Sequence, residues 1–357
     1  MKRKTIYFTA PRQVELREES LPALSADDVL VETICSSISA GTEMLIYQNR
    51  FPRDLETDSV ISSLRGGFEY PLAYGYTCVG RIIETGKEVD KSLLDKLVFG
   101  FKPHTSAFIC NPSSLIFAPA SFSAETCSCL PNMEIAVNLI QDAAPILGER
   151  VLVLGQGVVG LLVASLLKEF PLEMLVTADR YELRRKASLE IGVNDSFDPQ
   201  LINLSSQTTP HTISQAISQT TSQSITKHQR AYAQSFDLTF ELSGSPSALN
   251  DAIAMTTFSG RVVIGSWYGE KKAPIDLGGT FHRSRIKLIS SQVSTIAPEL
   301  SGRWDKPRRF GVAWEALKRI QPQKWITHRF PIEEAAKAYE LLDKNPQETI
   351  QVLFTYP

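Results

Sequence analysis

Residues 151–160 read VLVLGQGVVG, and LLVASLLKEF follows at once. An apolar, β-branched run passes directly into Gly155-Gln156-Gly157-Val158-Val159-Gly160 and then into a helical pattern. Gly155 permits a tight strand-to-helix turn, Gly157 lets the backbone approach a pyrophosphate, and Gly160 lets the helix pack on the strand. The helix N-terminus then offers free N–H groups and a partial positive charge to phosphates. Past Gly160, at the end of a second apolar run (LEMLVTAD), stands Asp179, at the spacing where a carboxylate accepts from a ribose hydroxyl. The expected dinucleotide contacts are therefore Gly155, Gln156, Gly157, Val158, Val159, Gly160, Asp179 and Arg180. Asp179 points to NAD, because a carboxylate repels a 2′-phosphate. Arg180, Arg184 and Arg185 leave NADP open, since they either meet that phosphate or form a solvated helix face.

Outward from this stretch, residues 131–281 alternate strands and helices: LVTAD, ELRRKASLEIG, FDLTFELSG, ALNDAIAMT and RVVIGSWYG follow in turn. That order predicts an α/β domain with a doubly wound parallel sheet. Residues 1–130 instead show short apolar alternations such as VLVETICSSIS and TCVGRIIETG, broken by Gly and Pro, and predict a mainly β domain. Residues 282–357 are expected to complete that first domain, the closing run TIQVLFTY returning as a strand of its sheet. From Leu204 to Thr226, sixteen of twenty-three residues are Ser, Thr or Gln, which predicts a poorly packed helix or a loop. The stretch Phe51 to Tyr70 reads as an insertion-like loop, either enclosing a large substrate or inert.

The 357 residues carry a formal net charge of −2, so no basic field invites nucleic acid or an anionic membrane. No apolar run approaches the roughly 18 to 20 residues a membrane helix needs. MKRKTIYFTAP has no following apolar segment of the kind a signal peptide carries, and the expectation is a cytoplasmic protein. Cys35, Cys78, Cys110, Cys127 and Cys129 lack paired C-x-x-C spacing and read as buried or idle thiols.

Four segments carry a resemblance: SISAGTE at 37–43, YPLAYGYTCVGRIIETG at 70–86, VFGFKPHTSAFI at 98–109 and FELSGSP at 240–246. With the order of domains, they resemble the medium-chain dehydrogenase/reductase superfamily over essentially the whole chain, and within it the branch around bacteriochlorophyllide a dehydrogenase. The resemblance implies a GroES-like mainly β catalytic domain beside a Rossmann nucleotide-binding domain. It also implies a homodimer, because the last strand of the nucleotide sheet often pairs across a two-fold axis in that superfamily. Zinc-using members place a cysteine in the first motif, Gly-His-Glu in the second, and a third ligand before the nucleotide domain. Aligned to those positions, this chain has Ser39, Gly75-Tyr76-Thr77 and Asn132, and it has no lobe of four close cysteines. A hydroxyl, a phenol and an amide suit zinc poorly, so no zinc is expected at either site.

A dehydrogenase without zinc must polarise a carbonyl or take an alcohol proton through hydrogen bonds. Ser39, Thr42, Glu43, Tyr76 and His104 are the side chains of the first domain expected to face the nicotinamide. Of these, Thr42, Tyr76 and His104 are the catalytic candidates. Each has a plainer alternative: Thr42 capping the helix that starts at GTEML, Tyr76 packed with a satisfied hydroxyl, His104 exposed or structural in a turn. Ser243, Gly244, Gly265, Ser266, Trp267 and Tyr268, in loops at strand carboxyl ends, are expected to complete the cofactor site, or for the two aromatics to form a dimer contact. The sequence thus points to a zinc-independent NAD(P)-dependent oxidoreductase that moves hydride between nicotinamide and a secondary alcohol or ketone, a small-molecule substrate whose identity the sequence does not name. A quinone- or enoyl-type C=C reductase and a non-catalytic NAD(H)-binding sensor or scaffold remain as alternatives.

Overall fold

The structure, a computed structural model, describes residues 1–52, 67–201, 232 and 234–357. In chain order the first part contains β1 (Lys2–Ala10), β2 (Gln13–Ser20), β3 (Val29–Ser37), α1 (Ala40–Tyr47), β4 (Leu72–Ala73), β5 (Cys78–Thr85), β6 (Leu97–Gly100), β7 (Ala107–Cys110) and β8 (Ile116–Phe117). Then come α2 (Ala124–Cys127), α3 (Leu130–Ala143), β9 (Arg150–Leu154), α4 (Val158–Leu167), β10 (Met174–Ala178), α5 (Glu182–Ile191), β11 (Asp195–Phe197), β12 (Phe236–Glu241), α6 (Ala248–Met255), β13 (Thr256–Ile264) and β14 (Lys287–Ser290). The chain closes with α7 (Lys306–Ile320), β15 (Ile326–Pro331), α8 (Ala335–Lys344) and β16 (Gln351–Thr355). Two compact units result, 1–134 with 303–357, and 135–302.

The second unit is a six-stranded sheet in the order β11-β10-β9-β12-β13-β14, parallel throughout. This is the doubly wound order, with its reversal between β9 and β12. β9 and β10 are buried along nearly their whole length, as strands covered on both faces must be, and read as continuous apolar runs for that reason. Leu152, Leu154, Val176, Ala178, Phe236, Ala252, Ile253 and Val262 form one core between sheet and helices. Lys287–Ser290 pairs in parallel with β13, so the return to the first unit starts near 303 rather than at 282 as the sequence suggests.

In the first unit a three-stranded sheet, β2-β1-β4, accompanies a seven-stranded one, β15-β16-β3-β5-β6-β8 with β7 on β3. The closing run does return: β16 lies antiparallel to β3, Leu353 opposite Ser37, and parallel to β15. α8 buries Ala335, Ala338, Tyr339 and Leu342 at three- and four-residue spacing, which sets Tyr339 into a core with Phe8, Tyr47 and Phe354. All five cysteines are free and buried, and burial pushes the Cys78 thiol up to about 12, far from any reactive thiolate. The Ser/Thr/Gln-rich stretch and residues 53–66 of the insertion lie outside the described residues. No helix among the described residues is long and apolar enough to cross a membrane.

Candidate active site

The glycine turn leaves β9 at the reversal of strand order. Gly155 has φ +92°, and a Cβ there would stand 2.6 Å from the Leu242 carbonyl. A Cβ on Gly160 would stand 1.9 Å from the Gly155 oxygen, so the helix can start only on a bare backbone. Gly157 is different. Its backbone is ordinary extended chain (φ −65°, ψ −179°) and a Cβ would meet nothing within 4 Å. The protein's own packing therefore needs glycine at 155 and 160 but not at 157.

Gln156 belongs to the scaffold through its side chain, which is fully buried and donates to the Val153 and Gly155 carbonyls at 3.2 and 3.0 Å. Ser188 donates to its Oε1 at 3.1 Å. Its backbone N–H donates to Asp179 Oδ2 at 2.7 Å, and Tyr181 N–H donates to Oδ1 at 2.8 Å, so the carboxylate is held in one orientation beside the glycine turn. Of the neighbouring arginines, Arg185 is committed to the Asp179 and Arg180 carbonyls at 2.7 and 2.8 Å. Arg184 Nη1 stands 4.0 Å from Asp179 Oδ2. Arg180 is exposed, its guanidinium over the Tyr181 ring.

The loops after β12 and β13 are tied together by a residue that sequence reading did not single out. Glu241, fully buried at the end of β12, accepts from the Ser243 N–H at 2.8 Å, from the Ser243 hydroxyl, and from Tyr268 Oη at 2.5 Å. Ser266 Oγ accepts from Gly244 N–H at 2.9 Å. Burial and the Glu241 carboxylate together raise the Tyr268 phenol above its usual range, so it stays a donor. Trp267 is 37% exposed. Glu241 sits in the quoted FELSG segment, yet no local pattern distinguishes a buried carboxylate that braces two loops from one at a surface.

The chemistry-bearing groups of the first unit gather where β3 ends, α1 begins and the 74–78 segment enters β5. Tyr76 Oη donates to Ser39 Oγ. Ser39 is the N-cap residue of α1 but spends no side-chain bond on the helix, and Glu43 Oε1 accepts the Ser39 N–H at 2.7 Å in its place. Thr42 lies in the first turn, half-buried, and is not the cap that GTEML suggests.

Glu43 and His104, expected to face a cofactor, have no exposed surface. Their ring and carboxylate meet at 2.9 Å, Tyr339 donates to Glu43 Oε2 at 2.6 Å, and His104 Nδ1 lies 2.7 Å from Ser36 Oγ. As placed, His104 presents nothing to a substrate. Its catalytic candidacy gives way to a structural position, because the turn at Pro103 carries the ring inward against Gly75 and Phe354. Ser36, Tyr339 and Tyr356 join this group from β3 and the chain's last elements, a convergence that only the fold brings about.

At the positions aligned with zinc ligands stand a hydroxyl, a phenol and an amide, donors that suit zinc poorly. Ser39 Oγ is engaged by Tyr76, and the Asn132 amide is turned toward Gln351 Oε1 at 3.5 Å. Among the described residues no three of His, Cys, Asp and Glu are grouped as a metal site requires.

No family model matches the chain. D-guloside 3-dehydrogenase of Escherichia coli (strain K12) is 21% identical over 368 residues, covering 99% of this chain and 100% of that protein. The crystal structure of the alcohol dehydrogenase RspB from E. coli CFT073, complexed with NADH, superimposes with a TM-score of 0.72 at 19% identity and 99% coverage of both chains. That of L-idonate 5-dehydrogenase from E. coli gives 0.74 at 17% identity, covering 99% and 98%. The chain has the medium-chain dehydrogenase fold. The relatives named are dehydrogenases, and the RspB structure holds NADH.

Proposed function

We propose that the protein is a dehydrogenase that interconverts a secondary alcohol of a polyol or sugar-type substrate with its ketone, uses NAD(P) with a preference for NAD(H), and works without zinc. The observation that carries the reading is the Tyr76–Ser39 hydroxyl pair, standing where the resemblance puts two zinc ligands. The relatives' names support the substrate class, since position 3 of a guloside and position 5 of idonate are secondary carbinols.

A nicotinamide, when bound, would supply or take the hydride. The residues expected to hold it are the N–H groups at the start of α4, the bare backbone at Gly157 and the oriented Asp179 carboxylate, with Ser243, Gly244 and the 265–268 loop completing the site. Helix-end N–H groups lack intrahelical partners and suit a pyrophosphate. For NAD over NADP the support is Asp179 itself and the full engagement of Arg185, which leaves Arg180 as the exposed cation nearby.

In the reductive direction the Tyr76 hydroxyl turns from Ser39 to the carbonyl oxygen and gives it a proton as that carbon is reduced, while Ser39 becomes the donor to the phenolate oxygen, which regains its proton from water. Thr42, in the first turn of α1 next to Ser39, is a further hydroxyl that could approach the same oxygen. The oxidative direction reverses these transfers, with the alcohol proton passing to the pair.

The test is turnover of a panel of polyols, sugar acids and glycosides with NAD⁺ and NADP⁺, and of ketones and enones with the reduced cofactors, before and after chelation. Alcohol–ketone turnover that survives chelation is expected. Stoichiometric zinc with activity lost on chelation, enone reduction alone, or NADH binding with no turnover would each overturn the proposal.

A further inference from the structure

The reading of Tyr76 and Ser39 as the reacting pair raises the question of what holds two hydroxyls from separate segments in contact. Ser39 and Tyr76 belong to the β3–α1 junction and to the segment entering β5, and the Ser39 side chain makes no cap bond to its own helix. In an ordinary capping box the N-cap serine oxygen bonds the N3 N–H while an acidic residue reaches back to the cap N–H. Here only the reach-back half forms. Glu43 Oε1 takes the Ser39 N–H at 2.7 Å, and the Ser39 oxygen is released to accept from Tyr76.

Glu43 in turn faces His104 with its other oxygen, at 2.9 Å. The His104 ring lies against Gly75, the residue before Tyr76. A Cβ at Gly75 would stand 2.7 Å from His104 Cδ2 and 2.9 Å from Nε2, and Gly75 has φ +122°. His104 N–H also reaches the Tyr74 carbonyl at 3.4 Å. One buried pair therefore touches both segments, Glu43 at the backbone of Ser39 and His104 at the backbone between Tyr74 and Tyr76.

The pair is fixed from the far side as well. With Glu43 ionised and the His104 proton on Nε2, every group is satisfied: Tyr356 donates to Ser36 at 2.7 Å, Ser36 to His104 Nδ1 at 2.7 Å, His104 Nε2–H to Glu43, and Tyr339 to Glu43 at 2.6 Å. That tautomer is assigned from the network. Ser36, His104 and Glu43 have the hydroxyl–imidazole–carboxylate order of a hydrolase triad, but all three are fully buried, so no substrate reaches the serine. Well-packed apolar residues in the same volume would serve stability as well or better, so a buried polar network of this kind is best explained by the geometry it enforces.

We propose that Glu43 and His104 are positioning residues for the Ser39–Tyr76 pair, acting through the Ser39 backbone N–H and the backbone at Gly75. The test uses the full-length protein and a substrate found in the panel above. A displacement of about 1 Å at a reacting group costs on the order of 100-fold. Glu43→Ala and His104→Ala are therefore expected to lower kcat by roughly 10- to 100-fold, with KM and the NADH Kd within about threefold. Glu43→Gln keeps an oxygen for the Ser39 N–H and is expected to recover most of the loss.

Two further readouts separate positioning from mere folding. In a Tyr76→Phe background, adding Glu43→Ala should have little further effect on kcat, whereas plain destabilisation would add independently. The ¹³Cζ resonance of Tyr76 should shift in Glu43→Ala and His104→Ala as it does in Ser39→Ala. Unchanged kcat with an unmoved Tyr76 resonance would overturn the proposal while leaving the dehydrogenase reading intact. Equal damage from Glu43→Gln and Glu43→Ala would overturn it too, marking Glu43 as an acid/base group. If no panel member is turned over, the functional reading fails and the resonance of Tyr76 still decides the pairing. Should the alanine variants fail to fold, Glu43→Asp, which keeps the charge but draws its oxygen back from the Ser39 N–H, carries both measurements, with the same fall in kcat and shift of the Tyr76 resonance expected.

Discussion

Two glycines of one turn should separate on substitution. At Gly160 an added Cβ would stand 1.9 Å from a backbone oxygen, which cannot rotate away as a side chain can. Overpacking of this kind typically costs about 1–3 kcal/mol. For a unit the size of residues 135–302, each kcal/mol lowers Tm by about 2–4 °C, so Gly160→Ala should melt roughly 2–12 °C lower. At Gly157 the backbone is already a conformation alanine adopts, and the Cβ meets nothing within 4 Å. Alanine is a poorer N-cap than glycine by several tenths of a kcal/mol, and the stiffer unfolded chain returns a similar ~0.4–1 kcal/mol. Gly157→Ala should therefore melt within about 2 °C of the parent. Its NADH affinity should fall at least tenfold, about 1.4 kcal/mol, because the methyl occupies the approach to a pyrophosphate. Differential scanning fluorimetry and fluorescence titration with NADH measure both. Tight NADH binding by a well-folded Gly157→Ala protein would show that this turn holds no pyrophosphate. An unchanged Tm for Gly160→Ala would refute the packing argument.

Tyr76→Phe deletes only the hydroxyl that Ser39 accepts from, and should cut turnover about 100- to 10,000-fold with Tm and NADH binding nearly unchanged. If it and Thr42→Val both keep near-parental turnover, the hydroxyl array is not catalytic. NADH should bind at least about tenfold more tightly than NADPH, and fluorescence titration of both checks this; the reverse preference would mean Arg180 outweighs Asp179. Asp251 has its carboxyl pushed up to about 6 by burial, against 3.8 when unperturbed. The folded state then holds this proton more tightly than the unfolded chain, so its contribution to stability declines as pH rises from about 4 to 6 and is flat above. Asp251→Asn lacks that decline, and its Tm advantage should be present at pH 8 and vanish near pH 4; an advantage independent of pH would refute the assignment.

The nucleotide unit was legible because its signals are local. Burial on both faces leaves apolar runs at 151–154 and 174–178, and Gly160 answers a clash with the backbone of Gly155 in the same turn, though the clash that Gly155 avoids, with Leu242, comes from a distant strand end. The run at 349–356 announced a strand without a partner nearby, and it pairs with β3. What escaped was long-range. Lys287–Ser290 reads equally well as a strand of either unit, and only its pairing with β13 assigns it. Glu43 reads from its motif as a side chain facing the nicotinamide, and nothing near it in sequence reveals that Tyr339 and His104 close over it. Hydrophobic periodicity marks which face of an element is covered, not which distant residue covers it.

The pairing of residue 353 with residue 37 also sets an order of events at the ribosome. At ~5–20 residues per second, β3 emerges on the order of tens of seconds before β16 exists. Residues 135–302, contiguous in sequence, can complete their sheet in that interval. The earlier segment must meanwhile keep Val29, Val31 and Phe108 from foreign contacts with its sheet lacking two strands. That waiting period makes the first unit the point where nascent-chain aggregation and chaperone dependence should concentrate.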